Sequence, residues 1–127
     1  MARADAVVLA LPLTEQTRKR VGARELAAMK PQAVLVNVGR GAVLDEAALV
    51  DALRAGRIGG AALDVFEREP LPAGHPFYAL DQVLLSPHCA DQVQGWQEQA
   101  TDVFLENLAR YRAGAPLVNV VDKAGGY

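Results

Sequence analysis

The 127-residue sequence predicts an α/β fold, with a parallel sheet, flanking helices and a long C-terminal helix. Three observations favour this fold. Short runs that are almost entirely apolar recur along the chain, as expected for strands that are buried on both faces of a parallel sheet. Stretches with helical spacing alternate with these runs. A last stretch has apolar residues at helical spacing with charged residues between them, which indicates an amphipathic helix.

Four apolar runs are predicted to be strands. The first run stops at Pro12, which fits the absence of proline from the middle of parallel sheets. Because helical stretches lie between the runs, the strands are expected to be parallel and joined by right-handed crossovers. The predicted strands are Val7–Leu11, Ala33–Val38, Gly60–Val65 and Val83–Ser86.

Two helices are predicted between the strands. The first covers Ala23–Lys30, and Pro31 is expected to end it. Asp45 is a good N-cap for the second helix, which runs through Leu53, and Gly56 is placed to close it. A segment without regular structure, Glu67–Gln82, then separates the third and fourth strands. Loops of this length in compact domains are usually functional.

The final predicted helix covers residues 93–111 and is followed by a short tail, residues 117–127. Gly114 and Pro116 are expected to end it. The sequence is thus divided into residues 1–91, which hold the sheet, and residues 92–127, which hold the helix and tail.

Composition excludes several classes of function. The net charge is −2 and basic residues are scattered, which argues against nucleic-acid and membrane partners. The longest apolar run, Ala6–Leu13, is too short to span a bilayer. The single cysteine, Cys89, excludes an internal disulfide framework. These features predict a soluble cytoplasmic protein.

A glycine-rich stretch after the second strand imitates a phosphate-binding turn. Gly39, Arg40 and Gly41 lie between a predicted strand and a predicted helix, as in the dinucleotide-binding fingerprint. Leu44, however, occupies the third glycine position, and the Arg40 side chain stands where phosphate needs bare backbone. The pyrophosphate cradle is therefore expected to be absent from this chain.

Polar side chains follow the predicted strands, and ligands bind beyond the carboxyl ends of the strands in open parallel sheets. Arg40 follows the second strand, Asp64 belongs to the end of the third, and His88 follows the fourth. The loop after the third strand adds Glu67 and Glu69. Each of these residues also has a structural interpretation as a turn residue, a surface charge or a satisfied core histidine.

Together these residue types suggest a chemistry. A fixed guanidinium binds carboxylates with paired hydrogen bonds. A histidine can transfer a proton near neutral pH, and a neighbouring carboxylate favours its charged form and fixes its tautomer. The set suits the reduction of a 2-keto acid. An alternative, with Ser86 as nucleophile and His88 as base, is weaker, because no nucleophile-elbow glycine pattern surrounds Ser86.

Four motifs resemble those of a known family. In order they are LPLTEQTRKRVG, NVGRGAVLDEAALVDAL, GAALDVFEREP and VLLSPHCA. This order is similar to that in the D-isomer-specific 2-hydroxyacid dehydrogenases, which include phosphoglycerate, glyoxylate/hydroxypyruvate and D-lactate dehydrogenases. The resemblance implies the C-terminal half of a Rossmann-like NAD(P)-binding domain, with NAD or NADP as cofactor and a small 2-keto or 2-hydroxy acid as substrate.

The resemblance also implies roles for individual residues. Arg40 would bind the substrate, His88 would donate the proton and Glu69 would be its carboxylate partner. Asp64 would hydrogen-bond the nicotinamide carboxamide. Further residues would line the cofactor cleft, namely Pro12, Thr17, Val38, Gly39 and Ala90. The family often has Gly-Gly or Ala-Gly after the histidine, whereas this chain has Cys89, Ala90 and Asp91.

Two hypotheses follow. In the first, the chain carries the chemistry of a dehydrogenase, but the phosphate fingerprint and the substrate domain, on which the C-terminal helix would pack, belong to a portion that precedes it in the family. In the second, the chain is a non-catalytic fragment that self-associates, as a homo-oligomer such as a dimer, through an unpaired strand edge and an apolar helix stripe. The choice of NAD or NADP and the identity of the 2-hydroxy acid stay open.

Overall fold

The computed structural model describes residues 1–125 and contains the predicted parallel sheet. Its strands lie in the order β1-β2-β3-β4, and every neighbouring pair is parallel. The observed strands are shorter than predicted by one or two residues. They are β1, Ala6–Leu9; β2, Val34–Asn37; β3, Gly60–Leu63; and β4, Val83–Leu85.

The four strands end in one row. Leu9 pairs with Asn37, Asn37 with Leu63, and Leu63 with Leu85. All four following loops therefore begin at the same edge of the sheet, which we call the carboxyl edge. The predicted convergence of polar residues depends on this register.

Helices follow the strands largely as predicted. The first, α1, covers Ala23–Ala27 and ends three residues before the predicted Lys30, because the next amides bond three residues back, as in a 3₁₀ turn. The second, α2, covers Glu46–Arg54. The Asp45 carboxylate caps it by accepting the Ala48 N–H at 3.1 Å, and Gly56 follows it with a φ of +62°, which confirms both predicted ends.

The core lies on one face of the sheet. Leu35 of β2 and Leu63 of β3 are buried there in one cluster with Leu26 of α1 and with Leu49 and Leu53 of α2. Two short 3₁₀ helices, Gly41–Val43 and Pro76–Ala79, place further side chains in this cluster.

The opposite face of the sheet is largely uncovered. Val8, Val36, Ala62 and Leu84 align there in one row, and the side chains at its two ends are 61% and 71% exposed. The prediction that the first strand is buried on both faces is therefore wrong within the described residues. The strands are apolar as predicted. Both helices between the strands pack into the same core, however, so that the other face of the sheet stays exposed.

Residues 1–89 form one compact unit, and the described residues from Ala90 onward form a second. Its helix α3, Trp96–Arg112, begins three residues later than predicted, after Gly95 with a φ of +78°, and Gly114 closes it as expected. The tail folds back on α3, because the Asn107 amide exchanges two hydrogen bonds with the Val118 backbone. The packing of this unit on a further domain stays a prediction, and the last two residues of the predicted tail lie outside the described residues.

Candidate active site

The turn after β2 holds Arg40 through a buried asparagine. The Asn37 side chain is fully buried, its Oδ1 accepts the Gly39 N–H at 3.2 Å, and its Nδ2 donates to the Arg40 carbonyl at 3.2 Å. One Arg40 N–H donates to the Gly39 carbonyl at 2.8 Å. The guanidinium has five N–H groups, so this bond orients it and leaves most of its donor capacity for a ligand.

Both glycines of this turn are needed where the chain passes close to itself. A Cβ on Gly41 would lie 1.8 Å from the Phe66 carbonyl carbon, and one on Gly39 would lie 2.8 Å from the Leu11 carbonyl oxygen. The glycines therefore bring the loops after β1, β2 and β3 into contact at the carboxyl edge. This contact also fills the space beside Gly41 with protein backbone, so the turn is not shaped as a phosphate cradle.

Asp64 fixes the turn that carries His88. This carboxylate is only 4% exposed, and its Oδ1 accepts hydrogen bonds from the Ser86 hydroxyl at 2.5 Å and from the Cys89 N–H at 3.0 Å. Between these two residues, His88 has a φ of +53°, a backbone conformation that residues other than glycine rarely adopt. The Ser86 hydroxyl is thus bonded to Asp64, which argues further against its role as a nucleophile.

Glu69 and His88 form a close pair. Glu69 Oε2 lies 2.8 Å from His88 Nδ1, and Glu69 Oε1 accepts the Phe66 N–H at 2.9 Å. The hydrogen bond from His88 lowers the pKa of Glu69, and the Phe66 N–H lowers it further. Because an ionised carboxylate only accepts, the proton of this contact belongs to His88 Nδ1, which leaves Nε2 to face a ligand.

Of the two glutamates that follow β3, only Glu69 contacts the histidine. The Glu67 carboxylate instead lies 3.4 Å from Lys19 Nζ, and the Glu67 N–H donates to Glu46 at 2.6 Å. The structure thus distinguishes two residues that have similar positions in the sequence.

Arg40, Glu69 and His88 line one cleft of about 330 Å³, and Leu13, Phe66 and Glu67 line it with them. A neighbouring cavity of about 410 Å³ lies against Phe66, Glu69 and His88 and is bounded by two prolines, Pro70 and Pro87. The structure therefore brings the predicted catalytic residues to one opening at the carboxyl edge, with a cation and an acid–base pair on its walls.

Most of the predicted cofactor residues also lie at this edge. The Pro12 carbonyl accepts the Thr17 hydroxyl at 2.7 Å, which closes the loop after β1. Val38 is exposed next to the buried Gly39. Ala90 is the first residue of the second compact unit.

Two polar residues were missed by the sequence analysis. Asn37 was treated only as part of a strand, although an asparagine inside an otherwise apolar run signals a buried hydrogen-bonding role. Glu46 was treated only as a helix residue, and its contact with the loop after β3 depends on tertiary structure that no local pattern shows.

Within residues 1–125, no three side chains of His, Cys, Asp or Glu are grouped so that they could hold a metal ion. No helix in the same range is long and apolar enough to cross a membrane.

Comparison with known proteins identifies the family. Residues 1–90 match the family model described as D-isomer specific 2-hydroxyacid dehydrogenase, NAD binding domain. The chain belongs to this family. This confirms the predicted family and the predicted fold, a C-terminal portion of a Rossmann-like NAD-binding domain.

Relatives and solved structures agree with this family. The chain is 43% identical over 97% of its length to a glyoxylate reductase of Aeropyrum pernix, of which it covers 37%. It is 40% identical over 96% of its length to glyoxylate/hydroxypyruvate reductase B of Pectobacterium carotovorum, of which it covers 38%. A crystal structure of a D-isomer specific 2-hydroxyacid dehydrogenase from Xanthobacter autotrophicus, in complex with NADPH and MES, superposes with a TM-score of 0.91 at 47% identity, covering 99% of this chain and 51% of that one. The chain thus spans about two fifths of the length of the curated relatives.

Proposed function

We propose that this chain carries the catalytic residues of an oxidoreductase that reduces a small 2-keto acid to the D-2-hydroxy acid, or catalyses the reverse, with NAD or NADP. The observation that carries the proposal is the cleft in which Arg40 stands with the Glu69–His88 pair. The names of the reductases to which the chain is similar support the same substrate class.

Arg40 binds the carboxylate of the substrate. A guanidinium offers paired N–H groups that match the two oxygens of a carboxylate, and a lysine would offer only a point charge. The buried Asn37 amide holds the backbone on both sides of Arg40, so the side chain starts from a fixed position. The adjacent keto group is then held in the same cleft as His88.

His88 donates a proton to the keto oxygen. With Nδ1–H bonded to the ionised Glu69, the protonated imidazole presents Nε2–H to the substrate, and after transfer the ring is neutral. NAD(P)H, when bound, supplies the hydride that the keto carbon accepts. In the reverse direction the neutral Nε2 takes the proton from the hydroxyl.

The carboxyl edge fits a nicotinamide. Apolar Val38 is exposed where the strands end, and the loops after the first three strands approach each other closely enough that two positions accept only glycine. We infer that Asp64 meets the carboxamide and that four residues of the first unit line the cleft, namely Pro12, Thr17, Val38 and Gly39.

Turnover requires more than these 127 residues. The curated relatives are more than twice as long as the matched segment, and the glycine turn after β2 is not shaped as a pyrophosphate cradle. We therefore propose that the isolated chain binds NAD(P)H weakly and does not turn over. We also propose a cytoplasmic location, which fits the single free cysteine.

A chimera tests the catalytic proposal. The chain would replace the matching segment of the Pectobacterium reductase, and the oxidation of NAD(P)H would be followed with glyoxylate or hydroxypyruvate. We expect activity in this chimera and a fall in kcat/KM of about a hundredfold or more for Arg40→Ala. Arg54→Ala, at an exposed position of α2, is the matched control and should leave kcat/KM unchanged. A folded but inactive chimera, or an active Arg40→Ala variant, would contradict the proposal.

The uncovered sheet face supports a second proposal, that the isolated chain self-associates as a homo-oligomer such as a dimer. Val8, Val36, Ala62 and Leu84 form an apolar row on this face. Within the described residues, β1 pairs with a strand on one side only. Sedimentation analysis should show a dimer or larger species that Val8→Lys dissociates. A wild-type monomer at micromolar concentration would refute this second proposal.

A further inference from the structure

We propose that Glu46 is a positioning residue for the Glu69–His88 pair. It lies outside the cleft that holds the pair and acts through the loop after β3. The inference rests on the proposed function, because it assigns Glu46 a part in that chemistry. It is derived from the contacts that the Glu46 carboxylate makes with this loop.

Two carboxylates hold two consecutive backbone amides. The Phe66 N–H donates to Glu69 Oε1 at 2.9 Å, and the next one, of Glu67, donates to Glu46 Oε1 at 2.6 Å. Glu46 therefore fixes the peptide plane between Phe66 and Glu67 from the side of α2. Glu69 bonds to that same stretch of backbone while its other oxygen meets His88 at 2.8 Å. A rotation of this backbone would change the geometry of the hydrogen bonds that Glu69 accepts from Phe66 and His88.

Glu46 also meets the far end of the same loop. Its Oε2 lies 3.6 Å from Nε2 of His75. His75 Nδ1 accepts the Phe77 N–H at 3.3 Å, so Nδ1 carries no proton and Nε2 carries one. That proton is on the nitrogen that faces Glu46. One carboxylate thus contacts both ends of the segment from residue 67 to residue 75, and Glu69 lies between these two contacts.

The environment of Glu46 favours a defined geometry. Its side chain is 12% exposed and that of His75 is 19% exposed, so water competes little for either group. Burial raises the pKa of Glu46, whereas the hydrogen bond from Glu67 and the charge of Lys19 oppose that rise. Because α2 is already capped by Asp45, capping does not account for the position of the Glu46 carboxylate.

Titration of Glu69 tests the inference without any need for turnover. The pKa of the Glu69 carboxyl would be followed in the 127-residue chain by ¹³C NMR and assigned with Glu69→Gln. We expect Glu46→Ala to move this pKa upward, towards the ordinary value, because Glu69 loses its fixed contacts with Phe66 and His88. Glu46→Gln keeps an oxygen acceptor for the Glu67 N–H but loses the one that faces His75, so the pKa of Glu69 should stay closer to wild type than it does in the alanine variant. Asp51→Asn, at an exposed position of α2, is the control and should also leave the pKa unchanged.

Glu46→Asp keeps the experiment decisive if the alanine variant does not fold. It retains the charge but shortens the side chain, so it should behave like alanine and raise the pKa of Glu69. An unchanged Glu69 titration in the folded alanine or aspartate variant overturns the inference.

Kinetics in the chimera separate this inference from the proposed function. Glu46→Ala should lower kcat by about tenfold with KM nearly unchanged, because misplacement of a catalytic group by a fraction of an ångström has effects of this order. If the wild-type chimera is inactive, the proposed function fails. The NMR titration still shows whether Glu46 positions Glu69. If the chimera is active and Glu46→Ala is equally active, only the role of Glu46 fails.

Discussion

Two segments bring the candidate catalytic side chains to the carboxyl edge, and they are held in different ways. The turn after β2 carries Arg40 and is fixed by a buried amide and by glycines that leave no room for a Cβ. The loop after β3 carries Glu69 and is fixed by carboxylates that bond to backbone amides and histidines. One segment depends on steric fit and the other on charged hydrogen bonds.

The difference matches the tasks that we propose for the two segments. A group that binds the substrate carboxylate needs a constant position, and close packing provides it at any pH at which the protein is folded. A group that supports a proton donor must respond to charge, and an ionisable contact provides that. The first segment should therefore be sensitive mainly to changes of shape, and the second mainly to changes of pH.

The largest expected effect is steric. Gly41→Ala places a Cβ 1.8 Å from the Phe66 carbonyl carbon, which is backbone and cannot move without breaking the contact between loops. We expect the free energy of unfolding, measured with urea, to fall by about 3 kcal/mol or more. The control is Gly74→Ala, where φ is +79° and no atom lies within 4 Å of the added Cβ. It should cost only about 1–2 kcal/mol for the backbone conformation, and equal losses would contradict the steric account.

A smaller loss is expected at Asn37. Asn37→Ala removes the partners of the Gly39 N–H and the Arg40 carbonyl in a buried turn. Unfolding should become easier by about 2–3 kcal/mol, since buried polar groups lose their hydrogen bonds. The exposed Gln32→Ala is the control and should change the free energy of unfolding little. A change at Asn37 that is no larger than this control would show that the amide does not fix the turn.

The second segment should respond to acid. The pKa of Glu69 is lowered in the folded state, chiefly by the hydrogen bond from His88. The stabilisation is therefore fully present above the ordinary pKa of a glutamate and is lost as pH falls through the lower, folded-state value. His88→Gln should raise the pKa of Glu69 and reduce this loss, which unfolding measurements at a series of pH values would detect. An identical pH dependence in wild type and variant would contradict the pairing.

The smallest effect provides a baseline away from the carboxyl edge. Lys30 Nζ lies 2.6 Å from Asp5 Oδ1, but the aspartate side chain is 81% exposed. Lys30→Ala should change the free energy of unfolding by no more than about 0.5 kcal/mol, because exposed ion pairs gain little over hydration. A loss as large as that for Asn37→Ala would show that surface charge, and not the buried turn, dominates the stability.

Local patterns were sufficient to predict much of this arrangement. Continuous apolar runs predicted the four strands, and their alternation with helices predicted that the strands are parallel. The register then brought Arg40, Glu69 and His88 together as expected. The choice between Glu67 and Glu69 was made by the family resemblance, because both glutamates follow the same strand. In the structure they differ in their contacts, because the Glu67 N–H bonds to Glu46, which lies 21 residues away in the sequence.

Two further features were beyond local patterns. The exposure of Val8 and Leu84 could not be predicted, because an apolar strand has the same sequence whether one face or both are covered. The left-handed backbone of His88 follows from the hydrogen bonds of the buried Asp64 with the residues around it, 22 and 25 positions further along the chain. The neighbours of His88 in the sequence do not signal that conformation.

In the proposed reaction, His88 is the proton donor of this cleft and Glu69 supports it. The most direct test is the rate of glyoxylate reduction by the chimera with His88→Gln, measured at saturating NAD(P)H and over a range of glyoxylate concentrations. We predict a fall in kcat of about a hundredfold or more, with a small change in KM, as expected for the loss of a general acid. A folded variant with a kcat close to that of the unmodified chimera would contradict the claim.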